Sequence, residues 1–422
     1  MGSVRNLWRK WTHTKALEQS SGKLETVFFE SVYRVTYLTG LSSSDSDILY
    51  RLYSNVVKLM IVLLVCGEIW YAFTETSGLD EIAASINATL IQFITIYRYK
   101  NMMDHKEIFQ KLVTSTKSPY FDVSTEKRKK LVEFWSRRNE RYLKLLLALG
   151  NCTLAAWFVY PLVDDIDYNL FVGVRLPFFY KTSGRYPFAY ILVVIAFTYI
   201  SHFVMVIDLI MQAHLIHLLC QFTVLSDCFE NLLSDCRIGY EGIPQNRLVM
   251  NKSFADRYKS RLGKLVQQHR FILSNTLNMK HTVSKPMLGQ LAASSTLICF
   301  IGYQAATTIT ESVAKFLMSC LFLGYNMFEL YIICRWCEEI TIQGTKIGEA
   351  IYCSGWECGV STLPGIKSTI TFTIARANKP LVLTAGGMYN LSLNLFTTVK
   401  YCAWPGLGKK QNKNMELKLA ST

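Results

Sequence analysis

The sequence predicts an all-α membrane protein: seven transmembrane helices, amino terminus cytoplasmic, carboxy terminus extracellular, with long cytoplasmic helix extensions. Half of the 422 residues are apolar, and they gather into long runs instead of the short periodicities of a soluble core. The runs are 54–73, 79–97, 143–163, 188–210, 287–308, 314–334 and 381–404. Each suffices, at about 1.5 Å per residue, for a hydrocarbon layer of roughly 30 Å. The net charge of +14 is the third observation, because its basic residues follow the runs. Arg5, Arg9, Lys10, Lys15, Lys23, Arg34 and Arg51 precede the first run, 74–97 has no Lys or Arg, and 98–141 is basic again, with Lys127, Arg128, Lys129 and Lys130. Positive links face the cytoplasm, which places the amino terminus inside. Basic residues partitioned in this way, with no single cluster, do not describe a nucleic-acid surface.

Taken in order, residues 1–50 interleave Trp8, Trp11, Phe28, Phe29, Tyr33 and Tyr37 with charges, which predicts an amphipathic segment at the inner membrane surface. This stretch lacks the continuous apolar centre of a cleavable leader. In the first run Lys58 and Glu68 sit near the ends, where side chains reach headgroups or a partner, with headgroups the expected target. The second run holds Ser85, Asn87, Thr89 and Gln92, too polar to face lipid all round, so it packs inside the bundle or lines a cavity. The third, with Trp157, Phe158 and Tyr160, ends at Pro161 and opens into an aromatic link, 164–187. Residues 188–238 contain neither Gly nor Pro, a helix-compatible stretch of roughly 75 Å that overshoots the membrane. Its distal half, from His214 to Leu233, is expected to pack on other helices. The stretch 265–279, which includes His269, leads into the fifth run past Pro286.

Catalytic chemistry has no support in the sequence. No phosphate-cradling glycine loop or nucleophile–base grouping occurs, so no enzyme and no cofactor are expected. The twelve cysteines fall mostly in runs or in cytoplasmic links, which predicts reduced thiols. Neither Cys334-x-x-Cys337 nor His214 with His217 has a matching second pair of ligands, so no metal is expected. Asp256-Arg257-Tyr258 matches a triad of G-protein-coupled receptors but lies between the fourth and fifth runs, and those receptors have the opposite orientation.

The last hundred residues carry the most specific wording: Cys334-Arg335-Trp336-Cys337-Glu338-Glu339-Ile340, then Ala350-Ile351-Tyr352-Cys353-Ser354-Gly355-Trp356, then Ser392-Leu393-Asn394-Leu395-Phe396. Their order resembles the carboxy-terminal signature of insect odorant receptors. The stretch from Gln221 to Asn231 is most similar to members from moths and butterflies. The resemblance implies a multi-pass protein of the cell membrane, the tuning subunit of a ligand-gated, non-selective cation channel. Its implied partners are a shared odorant co-receptor in a heterotetramer, a small apolar volatile and membrane lipid, with no nucleic acid. The chain is shorter than the co-receptor and lacks that subunit's insertion between spans four and five.

By the same resemblance, 1–338 form the ligand-binding bundle, and 339–356 a cytoplasmic anchor helix with Ala350, Ile351, Tyr352 and Trp356 between subunits. Residues 380–404 form the pore-lining seventh span, with Ser392, Leu393 and Phe396. The volatile is expected in the outer half of spans two to six, against Ser85, Thr89, Gln92, Trp157, Tyr160, Phe197 and Ser201. The ending departs from the family, which continues apolar for about five turns after Phe396. Here Lys400 and the breaker Pro405-Gly406-Leu407-Gly408 follow. Residues 405–422 are therefore read as an atypical tail, and the sequence from about Lys400 as an alternative ending that leaves a defective pore wall. The alternative readings are a gustatory-type receptor channel, whose closing T-Y-x-x-x-x-x-Q-F has no match here, and a G-protein-coupled or transporter-like seven-span protein.

Overall fold

A computed structural model describes residues 12–19, 23–74, 79–114, 121–163, 168–308 and 313–403. In chain order the helices are α1 (Lys15–Gln19), α2 (Lys23–Leu38), α3 (Ile48–Thr74), α4 (Leu79–Asp104), α5 (Lys106–Thr114), α6 (Glu126–Val163), α7 (Tyr186–Glu230), α8 (Leu232–Arg237), α9 (Gln245–Met250), α10 (Lys252–Thr308), α11 (Val313–Tyr352), α12 (Ile366–Ala377) and α13 (Leu393–Ala403). A hairpin, β1 (Thr384–Ala385) with β2 (Tyr389–Asn390), precedes α13.

The first six apolar runs lie within α3, α4, α6, α7, α10 and α11. Among the described residues α3, α6, α7, α10 and α11 are long and apolar enough to cross a membrane. The helix α4 forms as expected. The seventh run is not one helix. Gly386 and Gly387 have φ of 62° and 75° and reverse the chain between β1 and β2, and a Cβ on Gly386 would stand 2.5 Å from Cδ2 of Leu288. Among the described residues of this run, the 11 of α13 are helical, about 16 Å of rise. The tail 405–422 lies outside the described residues.

Helix α7, 45 residues long, is the central element. Pro187 stands at its start, where a missing N–H costs nothing, and no breaker follows. It packs against α2, α3, α4, α5, α6, α10 and α11. Its distal half is buried almost all round, with Asp208, Gln212, His214, His217, Gln221 and Asp227 inside. The expected packing of that half on other helices is thus present.

Two expectations for the amino-terminal region change. Phe28, Phe29 and Val32 of α2 are buried, and the two Phe rings meet His217 edge-on at 5.3 and 5.5 Å. The apolar face of α2 therefore packs on protein instead of lying on lipid, because α7 extends far enough to receive it. Glu68 does not reach outward either: it is buried and faces Gln92, whereas Lys58 is exposed.

The 57-residue α10 passes Pro286 without ending. Proline deprives the Thr282 carbonyl of its helical donor, and Nδ2 of Asn101 donates to that oxygen at 3.0 Å. The backbone N–H of Gly386 donates to Ser284 O at 2.8 Å, so the hairpin fastens to the same place.

At the far end of the extensions, Arg128, with 1% of its side chain exposed, meets Asp122 at 2.7 Å, Asp227 at 2.9 Å and Asp235 at 2.5 Å. Arg261 also pairs with Asp122 and Asp235, and Lys127 with Asp227. Burial pulls the Asp122 carboxyl up. Hydrogen bonds from Ser124 and the charges of Arg261 and Arg128 outweigh it, leaving Asp122 below the ordinary carboxylate value. The cluster ties the 121–125 link, α6, α7, α8 and α10 together. Replacing Arg128 with Met takes the one deeply buried cation of this cluster away from three carboxylates and leaves them the more exposed Arg261 and Lys127, so Arg128→Met should lose about 3 kcal/mol and melt several degrees lower in detergent. A melting temperature equal to the parent's would show that the cluster holds nothing together.

Candidate functional site

A cavity of about 110 Å³ lies between α4, α6, α7, α10 and α11. Its upper wall is aromatic. Trp157 stacks on Phe197 with ring centroids 5.5 Å apart, and Phe322 meets Trp157 edge-on at 5.2 Å. Gly150, one turn or two below Trp157 on α6, leaves room for Met205: a Cβ there would stand 2.5 Å from Cε of Met205. Thr153, Leu154, Ile200 and Val204 continue the wall.

The floor is polar. Arg98 of α4, with 2% of its side chain exposed, pairs with Asp208 of α7 at 2.7 Å and donates to Oε1 of Gln290 on α10 at 2.9 Å. Gln290 in turn donates to Glu329 of α11 at 2.6 Å and to Ser294 at 3.2 Å. Asp208 and Glu329 are close enough to interact. Two buried carboxylates thus share one guanidinium and one amide, an arrangement stable only where every member is bonded.

Of the sequence-derived wall residues, Gln92, Trp157, Phe197 and Ser201 line this cavity. Thr89 and Tyr160 stand off it, and the side chain of Ser85 lies outside the described residues. The cavity's floor residues Gln290 and Glu329 lie near those ends of their apolar runs that continue into the long extensions, because the polar side chains gather there. Sequence reading missed Gly150, Thr153, Gln290, Ser294, Tyr325, Asn326 and Glu329. Their spacing of three or four residues within apolar runs is the signal that could have marked them.

The carboxy-terminal motif divides between interior and surface. Residues 339–356 are not a separate helix: α11 runs on to Tyr352, and Cys353–Trp356 form the turn after it. Ala350 and Ile351 are buried within the chain, whereas Tyr352 is 66% exposed. Trp356 folds back, its Nε1 donating to Tyr352 O at 3.1 Å. Ser392 precedes α13 and its Oγ accepts from Leu395 N at 3.4 Å. Leu393 is half-buried, and Phe396 meets Tyr331 of α11 edge-on at 5.6 Å.

Residues 79–403 match the family described as 7tm Odorant receptor. Odorant receptor 94a of Drosophila melanogaster is 21% identical over 367 residues, 82% of this chain and 84% of that one. Odorant receptor 67a of the same species is 29% identical over 133 residues, 32% of this chain and 31% of that one. The structure of the insect olfactory receptor OR5 from Machilis hrabei superimposes with a TM-score of 0.72 at 15% identity, covering 89% of this chain and 95% of that one. Its complex with eugenol gives 0.73, also at 15% identity, over 90% and 97%. At this identity the likeness establishes a shared fold.

Removing Arg98 from the cavity floor leaves Asp208 and Glu329 facing each other in a medium of low dielectric. Arg98→Met should therefore cost about 3 to 5 kcal/mol, seen as poor surface delivery and early melting. Unchanged delivery and melting would mean that the floor does not hold the helices in register.

Proposed function

The chain belongs to the insect odorant receptor family, and on that footing we propose that it is the ligand-tuning subunit of a cation channel gated by a small volatile, working beside a shared co-receptor in a heterotetramer. The observation that carries this reading is the cavity beneath Trp157, Phe197 and Phe322, lined by five helices of one chain. The related Machilis receptor has been solved with eugenol, which supports placing a volatile inside such a bundle. An apolar ligand that buries roughly 200 Å² gains about 5 kcal/mol at about 25 cal/mol per Å², enough for sub-millimolar binding. The basic links support a cytoplasmic amino terminus and cytoplasmic extensions, with α13 as part of a seventh span.

In this mechanism the ligand fills the space between α6, α7 and α11 and biases how α11 sits. Because α13 packs on α11 through Phe396 and Tyr331, that bias reaches the segment proposed to line the pore with Ser392 and Leu393. Tyr352 and Trp356, at the end of α11 and just beyond it, are the proposed subunit anchor, while Ala350 and Ile351 set the helix that presents them.

Cells expressing this chain with a co-receptor should pass odour-evoked cation currents that are absent with either subunit alone, and Gly150→Ala should weaken them several-fold for the best ligand. The added methyl drives the end of Met205 into the cavity while leaving the surface intact. Silence across a broad volatile panel would overturn the receptor reading; a Gly150→Ala response equal to the parent's would move the ligand elsewhere.

The anchor is tested separately by co-purification. The double substitution Tyr352→Ala, Trp356→Ala should abolish recovery of the partner subunit, since truncating large aromatics at a buried contact costs about 3 to 5 kcal/mol. Full recovery would remove these residues from the interface.

A further inference from the structure

Among the described residues, three polar atoms of the cavity lining have no hydrogen-bond partner: Nε1 of Trp157, the hydroxyl of Tyr325 and Oε1 of Gln92. Tyr325 and Gln92 are 7% and 5% exposed. Their capacities differ: the indole N–H only donates, the amide oxygen only accepts, and the phenol does either. A hydrocarbon in this space answers none of them. A ketone or ester oxygen accepts from Trp157 or Tyr325 but leaves Gln92 unanswered. A hydroxyl group accepts from one donor and donates to the amide oxygen. A carboxylate ligand meets the further obstacle of Asp208 and Glu329 against a single Arg98.

Size narrows the choice further. The space is about 110 Å³, a little below the roughly 150 Å³ of a protein cavity known to take up benzene. The geometry points to a compact hydroxyl-bearing volatile, an alcohol or phenol of about benzene size, as the ligand class that this cavity selects; the inference rests on the receptor function proposed above. Trp157, Tyr325 and Gln92 are its specificity-determining residues, and Phe197 and Phe322 supply the apolar contact.

The test compares cyclohexanol, cyclohexanone and methylcyclohexane, three molecules of nearly one shape, on cells expressing the full chain with the co-receptor. Half-maximal responses should come at the lowest concentration for cyclohexanol, about tenfold higher for cyclohexanone and higher again for methylcyclohexane, since a buried partner left unpaired costs about a factor of ten. Tyr325→Phe and Gln92→Leu should each raise the cyclohexanol value about tenfold and leave the methylcyclohexane value unchanged, which also shows that the variant channel is folded. Equal potency of the three compounds, or substitutions that shift all three alike, overturns the ligand class. Silence to these three while other volatiles open the channel overturns it as well and leaves the receptor function standing. Silence to every volatile overturns both.

Discussion

Taking Arg98 out of water is the constraint on which the arrangement of the helices depends. A guanidinium transferred to the interior costs several kcal/mol unless it finds partners, and it finds them on two other helices, Asp208 of α7 as an ion pair and Gln290 of α10 through a hydrogen bond. Gln290 passes the requirement to Glu329 of α11. Four helices distant in sequence must therefore converge at one level, and a slip of any of them by one turn, about 5.4 Å, would break the bonds that its residue makes in the set. The cavity is the space left above that meeting point.

Large apolar side chains such as Ile48, Leu49, Phe73, Phe188 and Ile191 face outward, while Asp208, Gln212, His217 and Gln221 face inward. In a soluble protein this distribution would be inverted; around a bundle in lipid it follows from transfer energies, because the outer surface meets hydrocarbon and the polar groups find one another inside. It also accounts for the polar residues of α4, since Gln92, Thr95 and Arg98 are all buried.

Hydropathy alone made six of the seven apolar runs legible as helices, since run length needs no knowledge of partners. It failed for 381–404, where apolar residues continue through a turn that two adjacent glycines in left-handed conformation create. Trp157, Phe197, Ser201 and Gln92 were legible as wall residues because an aromatic or polar group inside an apolar run stands out. The floor was not. Arg98 reads in the sequence as the first charge of a basic link, and its partners lie 110 and 192 residues further on. Arg128 is similar: one of four consecutive basic residues, it is buried because three aspartates from other segments surround it. Charge counting treats such residues as water-exposed, and the fold decides otherwise. Glu68 was misread for the same reason, since depth along a helix does not tell which way a side chain turns.

Where α10 passes Pro286, the rod has lost one rung of its own ladder, and Asn101 of α4 supplies the substitute at Thr282. Asn101 stands one turn from Arg98. The two halves of α10 therefore meet at a joint whose pin belongs to a different helix. A tilt of the lower arm must either carry α4 with it or pull the pin out, and carrying α4 drags Arg98 across the floor of the cavity. In mechanical terms the joint and the floor are one linkage, with the cytoplasmic-side arm and the binding chamber as its two ends.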